Sequence, residues 1–299
     1  MTGVLCICKP AEITSFGVVA KVRGITRERK AGHTGTLDPM ATGVLPVLLG
    51  GATRFLDYLP DSNKRYLATF RLGETTDTPD CTGTVLTRRP VTADRAAVEA
   101  ALSAFRGEIM QVPPMYSAVS VDGQRLYELA RQGKTVERAA RPVTILNSPQ
   151  TAAEEEKNTY TIDVTCTKGT YIRTLIHDLG QALGCGAVMT ALQRTCAMGV
   201  ALADCVTLEQ LQALRDSGGD FAPCLRPVDE LLAAYPALQV TPPQARRFGN
   251  GGALDAVRLH RQLTEPYYRV YDPAGVFLGL GSPSADGSQL QVDRVMVMR

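Results

Sequence analysis

The chain has 299 residues, 44% of them hydrophobic and 21% charged, with 32 Lys and Arg against 30 Asp and Glu for a net charge of +2. That length and apolar content suffice for one large domain plus a small one, each with its own core, and they exclude a disordered chain. No apolar run approaches the roughly 20 residues of a membrane span, the start lacks the layout of a signal peptide, and the eight cysteines include no Cys-x-x-Cys pair, so the expectation is a cytoplasmic protein with reduced, mostly buried thiols and neither a zinc cage nor a disulfide framework.

In chain order, the first informative segment runs Gly32-His33-Thr34-Gly35-Thr36-Leu37-Asp38-Pro39-Met40-Ala41-Thr42-Gly43, which sets one histidine and one carboxylate in a turn-rich loop. Its glycines open backbone conformations closed to other residues, and Pro39 restrains Asp38 to extended geometry, so the carboxylate can project from a stiff turn. Taken alone, Asp38 reads as an aspartate capping its own turn. Val44, Leu45, Val47, Leu48 and Leu49 then form a packed strand or short helix that anchors the loop.

Tyr66, Ala68, Phe70 and Leu72 alternate with more polar neighbours as a half-buried strand, followed by a polar turn from Gly73 to Gly83. Val98, Ala101, Leu102 and Phe105 share one face of an amphipathic helix closed by Gly107. Residues 112–143 are proline-flanked, basic and rich in tyrosine, with a short helical pattern around Leu126, Leu129 and Ala130, and read as an inserted arm outside the core. Ile162, Val164 and Cys166 mark another strand, pairing with its antecedent across Glu154-Glu155-Glu156. Lys168-Gly169-Thr170 turns into a helix with the apolar face Ile172, Leu175, Ile176, Leu179 and Leu183, ending at Gly184, and Arg173 lies off that stripe in the first turn. A boundary is expected near Pro236, giving residues 1–235 as one domain and 236–299 as a compact β-rich module.

The near-neutral total hides three basic groups. Residues 21–30 carry five basic side chains against one acidic, residues 125–141 five against two, and residues 246–261 four against one. Each alone is an ordinary solvated face. Together they suggest an extended polyanion as partner, because phosphates spaced along a backbone are met by cations spread over a surface.

Taken together, these blocks resemble the TruB family of tRNA pseudouridine-55 synthases. The resemblance runs through Lys9-Pro10 with Thr14-Ser15, the Gly32 to Gly43 loop, Gly50-x-Ala52-Thr53-Arg54, Lys64-Arg65-Tyr66, Leu72-Gly73 with Thr76-Asp77-Thr78 and Gly83, Pro114-x-Tyr116-Ser117-Ala118, and Lys168-Gly169-Thr170-Tyr171-Ile172-Arg173. One departure is Glu12, in a position the family usually gives to glycine. The resemblance implies an α+β fold with a mixed, mainly antiparallel central sheet flanked by helices, an RNA-gripping thumb at about 112–143, and a small C-terminal PUA-like RNA-binding domain. It also implies an isomerase of a uridine in the T loop of tRNA (position 55), acting on a flipped-out base.

Pseudouridine is an isomer of uridine, so no atom is gained or lost, and no redox cofactor, nucleotide donor or metal is expected. Cleaving a glycosidic bond develops positive character on the sugar, which an adjacent carboxylate can stabilise or capture. By resemblance Asp38 is the catalytic aspartate, Arg173 its orienting arginine, and Tyr66 the active-site tyrosine that stacks on the base. His33 then contacts the flipped nucleotide or its surroundings, while Tyr171 and Leu192 line the base pocket. Read without the resemblance, Arg173 is a surface helix arginine, Tyr66 an aromatic opening a strand, and Leu192 ordinary core. Tyr116 and Tyr127 in the arm stack on RNA or simply pack. The expected partner is the T arm of tRNA, with no membrane, no obligate protein partner and a monomeric chain. Two rival readings are a non-catalytic tRNA-binding or tRNA-folding protein, and a synthase of the same chemistry acting on another RNA.

Overall fold

The computed structural model describes residues 1–117, 119–121 and 123–296; Ala118 of the Pro114-x-Tyr116-Ser117-Ala118 block, and the last three residues of the expected C-terminal module, lie outside the described residues. The main sheet has eleven strands. Its principal path runs Leu225–Arg226, Gly3–Lys9, Thr42–Leu49, Ala187–Ala197, Lys64–Leu72, Thr159–Cys166, Arg141–Asn147 and Gly107–Gln111. Every neighbouring pair is antiparallel except one: Thr42–Leu49 runs parallel to Ala187–Ala197, with Thr42 opposite Gln193 and Gly43 opposite Arg194. The fold class is therefore the mixed, mainly antiparallel α+β sheet that the sequence implies.

Burial follows the sequence pattern. Gly3–Lys9 and Thr42–Leu49 are continuous apolar runs because they are covered on both faces. On one side helix Ser15–Thr26 packs Val18, Val19, Val22 and Ile25 against Leu5, Ile7, Leu45 and Val47; on the other, Val4, Cys6, Val44 and Leu48 meet Phe55, Val228 and Leu280. Thr159–Cys166 alternates buried and half-buried positions, as a strand with one covered face should. Helix Ile172–Ala182 seals that face with Ile172, Leu175, Ile176 and Leu179, and helix Arg95–Ala104 adds Val98 and Leu102.

Several expectations need correction. The segment 73–83 is not only a turn: Glu74–Thr76 pairs with Val85–Arg88, with the buried Thr75 hydroxyl 2.7 Å from that of Thr87 and the Thr76 hydroxyl donating to the Asp80 carbonyl. Helix Arg95–Ala104 stops before Gly107, whose φ of 93° starts the next strand. The arm is shorter than 112–143, since Arg141 already pairs with Gln111 and Val143 with Ile109 in the main sheet. What remains carries a hairpin, Ser120–Val121 with Gln124–Arg125, and helix Leu126–Arg131, whose Leu126 and Leu129 are buried. The eight thiols are free, but only Cys6, Cys166 and Cys185 are buried.

Beyond residue 236 a second sheet of five strands runs Ala237–Gln239, Tyr268–Tyr271, Phe277–Pro283, Gln289–Val295 and Leu254–Asp255. Helix Pro242–Gly249 contributes Phe248 to its core with Leu238, Val270 and Leu290. This sheet is docked firmly: Phe277 packs on Phe55 with ring centroids 5.4 Å apart, and the Tyr271 hydroxyl donates to Asp229 at 2.7 Å. No helix among the described residues is long and apolar enough to cross a membrane.

Candidate active site

The loop carrying Asp38 is fixed through its backbone by side chains from elsewhere. Lys9, fully buried, donates from Nζ to the carbonyls of Pro10 (2.9 Å), Pro39 (3.1 Å) and Ala41 (2.6 Å), so all three ammonium protons are used. Ser15 accepts from the Leu37 N–H at 2.8 Å and donates to the Leu37 carbonyl at 3.1 Å. Arg194, also buried, donates to the carbonyls of Val44 (2.7 Å), Gly35 (3.1 Å) and Thr36 (3.4 Å). Gly43 sits at φ 102°, and a Cβ there would run into the Arg194 main chain, so only glycine lets the two strands meet at the parallel seam. Glu12 supplies one more tie, its N–H donating to the Pro39 carbonyl at 2.8 Å from a left-handed φ of 64°; that conformation accounts for glycine being the usual residue there.

Asp38 does not cap its own turn. Among the described residues one hydrogen bond reaches its carboxylate, from Arg173 Nη2 to Oδ1 at 3.1 Å, and Arg173 Nε lies 2.9 Å from Oδ2 as an ion-pair contact. Two guanidinium nitrogens thus face the two carboxylate oxygens, one through a hydrogen bond and one through charge alone. Arg173 is no surface arginine. Its side chain is 6% exposed against 31% for Asp38, so the guanidinium forms the wall and the carboxylate faces the opening. Nη2 also donates to the Tyr116 carbonyl at 2.7 Å, and Nη1 approaches Asp80 Oδ2 at 3.6 Å and the Thr78 carbonyl at 3.4 Å. Asp80 is itself pinned by the Thr78 and Thr82 hydroxyls and the Thr82 N–H.

Arg173 lies in the first turn of helix Ile172–Ala182, and the residue before that helix is clamped in both directions. Gln111, at the end of its strand and buried, accepts from the Tyr171 N–H at 3.0 Å and donates to the Tyr171 carbonyl at 3.3 Å.

Asp38, Tyr66, Tyr171, Arg173 and Leu192 line one cavity of roughly 240 Å³, with Leu37, Lys64, Tyr116 and Thr170 completing much of its wall. His33 is not among the lining residues. It ends the short strand Ala31–His33 opposite Val47, its Nδ1 buried without a hydrogen-bond partner among the described residues, and burial together with Arg194 favours its neutral form.

Burial raises the Asp38 carboxyl above its ordinary value, opposed by Arg173 and reinforced by Asp80. Burial likewise raises the Tyr66 phenol, so it stays neutral with its ring against the cavity. Burial pushes Lys9 down to about 8 and, with Arg194 beside it, Lys64 to about 8 as well. Such a site can hold a nucleoside, present one carboxylate oxygen to it and keep a phenol as donor. Among the described residues no group of three or more His, Cys, Asp or Glu is placed to hold a metal ion.

Sequence reasoning brought Asp38, Tyr66 and Arg173 together but gave no role to Asp80, Gln111, Arg194, Ser15 or Lys9. A second aspartate beside the quoted Thr76-Asp77-Thr78 block was the one available signal for Asp80. The others act on main-chain groups far away in sequence, where composition and periodicity carry nothing.

Comparison with known proteins adds three family models in register along the chain: the TruB family pseudouridylate synthase N-terminal domain over residues 23–172, the tRNA pseudouridylate synthase B C-terminal domain over 173–233, and the pseudouridine synthase II TruB C-terminal domain over 236–296. The tRNA pseudouridine synthase B of Ectopseudomonas mendocina (strain ymp) is 48% identical over 287 residues, covering 95% of this chain and 92% of that one. That of Pseudomonas aeruginosa (strain UCBPP-PA14) is 45% identical over 289 residues, covering 96% and 93%. Among solved structures, a chain of a Cbf5-Nop10-Gar1 complex matches with a TM-score of 0.74 and 25% identity, over 99% of this chain and 85% of that chain.

Proposed function

The chain belongs to the TruB family of pseudouridylate synthases, and from that premise we propose how its site works and on which nucleotide. The protein converts uridine in tRNA to pseudouridine. We place the target in the T loop, at position 55, and assign Asp38 as the residue that attacks the reacting nucleotide.

The observation that carries this assignment is the Asp38–Arg173 pair at 2.9 Å, with the carboxylate turned into the cavity and the guanidinium behind it. Arg173 opposes the rise that burial imposes on the carboxyl, and it orients the carboxylate. The bond from ribose C1′ to uracil N1 breaks while Asp38 meets the reacting centre. The freed base turns, C5 bonds to C1′, the C5 proton leaves and N1 gains one, so the atoms balance without any cofactor. Tyr66, neutral and buried, offers its ring face to the uracil, while Tyr171 and Leu192 bound the base from the other sides.

A base inside a folded loop must leave its stack to reach this cavity. Tyr116 joins the arm to the site through its carbonyl bond to Arg173, which supports the arm as the element that closes over RNA. Within the arm, Tyr127 already holds Arg131 over its ring at 5.5 Å and donates to Glu128, which favours packing over base stacking for that residue. The basic groups at 21–30 and 246–261, and the PUA-like module we assign to 236–296, would carry tRNA phosphates outside the cavity. We further read the chain as acting as a monomer on cytoplasmic tRNA. The test is a T-arm stem-loop incubated with the wild-type chain and with Asp38→Asn, followed by mapping of pseudouridine. Product at the target uridine with the first, and binding without product with the second, is expected; product from Asp38→Asn overturns the assignment.

A further inference from the structure

We propose that Lys64 binds the backbone phosphate attached to the ribose of the reacting nucleotide, forming a subsite beside Asp38 in the same cavity. This rests on the reading that a flipped nucleotide brings its ribose to Asp38.

Strand alternation sets the direction of the side chain. Lys64 opens strand Lys64–Leu72 two residues before Tyr66, and so it shares the sheet face of Tyr66, whose near end borders the cavity while Ala68 and Phe70 continue into the core. Arg65 points the opposite way and is paired with Asp163 at 2.8 Å. Lys64 lines the cavity with Asp38, Tyr66 and Thr36, and its ammonium lies 3.4 Å from the point where a side chain on Gly35 would begin. Gly35 thus leaves open a path along the Asp38 loop for that ammonium.

What singles out Lys64 is the lack of an anion. Its ammonium makes no ion pair or hydrogen bond with any described residue, whereas Lys168 nearby is paired with Asp61 at 3.0 Å. Its titratable surroundings are Arg194 on the neighbouring strand, Lys168 on the following turn, Asp61 and the Cys166 thiol, which burial pushes up to about 11. Asp38 and Asp80 are both committed to Arg173. A half-buried ammonium facing two cations is costly unless an anion arrives, and the anion a polynucleotide brings is its phosphodiester. A ribose whose C1′ meets Asp38 carries a phosphate on each side, within a lysine's reach, while uracil occupies the end formed by Tyr66, Tyr171 and Leu192. The depressed ammonium of the free protein, about 8, agrees with a charge waiting for its counter-ion.

The test uses two stem-loop RNAs, one unmodified and one with neutral methylphosphonates at the phosphates flanking the target, against wild type, Lys64→Gln and Lys64→Arg in single-turnover assays. With unmodified RNA, Lys64→Gln should bind about ten-fold more weakly, keep most of its rate at saturation and lose about one from the salt slope, and Lys64→Arg should recover most of the binding. Neutralising the phosphate should weaken wild type by a similar factor and leave Lys64→Gln nearly unaffected. An equal loss for Lys64→Gln on both RNAs overturns the proposal, as does a wild-type chain indifferent to the methylphosphonates, a result that needs no folded variant. Absence of product from wild type on unmodified RNA would instead strike the reading of Asp38, so the two failures are separate.

Discussion

Arg173 grips Asp38 along the edge of its guanidinium, Nε to Oδ2 at 2.9 Å and Nη2 to Oδ1 at 3.1 Å, and turns its remaining nitrogen, Nη1, towards Asp80 at 3.6 Å. One buried cation therefore serves two carboxylates, of which only Asp38 reaches the cavity. The balance among the three sets how acidic Asp38 is.

The rate of the chemical step should consequently depend on pH through Asp38. Because its folded value is raised by burial, activity requires a pH above that value and falls as pH drops through it, at a higher pH than an ordinary carboxylate would give. Arg173 pulls the value down, so Arg173→Gln should move the acid limb to higher pH as well as slow turnover. Asp80 pushes it up, so Asp80→Asn should move the limb to lower pH. Single-turnover rates measured across pH 4 to 8, a window on the order of the carboxylate range, check both directions. Coincident limbs in all three proteins would contradict the coupling.

Gln111→Leu keeps the volume but leaves the Tyr171 N–H without its partner at the start of the Arg173 helix, where the Tyr171 carbonyl retains only the Leu175 N–H. An expected loss of about 1–3 kcal/mol in stability should accompany a fall of roughly ten-fold in single-turnover rate, with tRNA affinity little changed. Chemical denaturation and filter binding separate the two effects.

Gly43→Ala places a methyl group against the Arg194 main chain at a φ of 102° that alanine resists. The seam must open, at a cost of about 2–4 kcal/mol. Since Arg194 holds the carbonyls of Gly35, Thr36 and Val44, activity should fall further than the stability loss alone explains, and thermal melts read beside turnover show the difference.

Glu12→Gly should act in the opposite direction. Glu12 holds a left-handed φ of 64° that glycine adopts freely, and its N–H bond to Pro39 survives the change. The variant is expected to gain about 0.5–1 kcal/mol, visible as a rise in Tm of roughly 2–4 °C, with unchanged activity. Glu12→Pro, which deletes that donor, should lower both.

The strands at 64–72 and 159–166 were readable because each buries one face and so alternates strictly. Arg173 was misplaced on a solvent face by the same logic: helical periodicity sorts residues by polarity, and a guanidinium buried against Asp38 and Asp80 looks like any exposed charge. Arg141-Pro142 resembled loop because a basic residue and a proline open an edge-side strand that closes on Gln111 only in three dimensions. Lys9 and Arg194 were opaque for a further reason. Their partners are carbonyls, the one group every residue has, reached across 32 and 150 positions of sequence respectively.

The parallel seam between Gly43 and Arg194 also has a temporal meaning. The segment that carries Asp38 is made early on the ribosome, but the strand that braces it, like the helix that bears Arg173, emerges more than a hundred residues later. A nascent chain halted midway would carry Asp38 on a loop tied by Lys9, Glu12 and Ser15 but without Arg173 or Arg194. The carboxylate's cationic partner and the brace of its loop are thus both supplied by the later half of the chain.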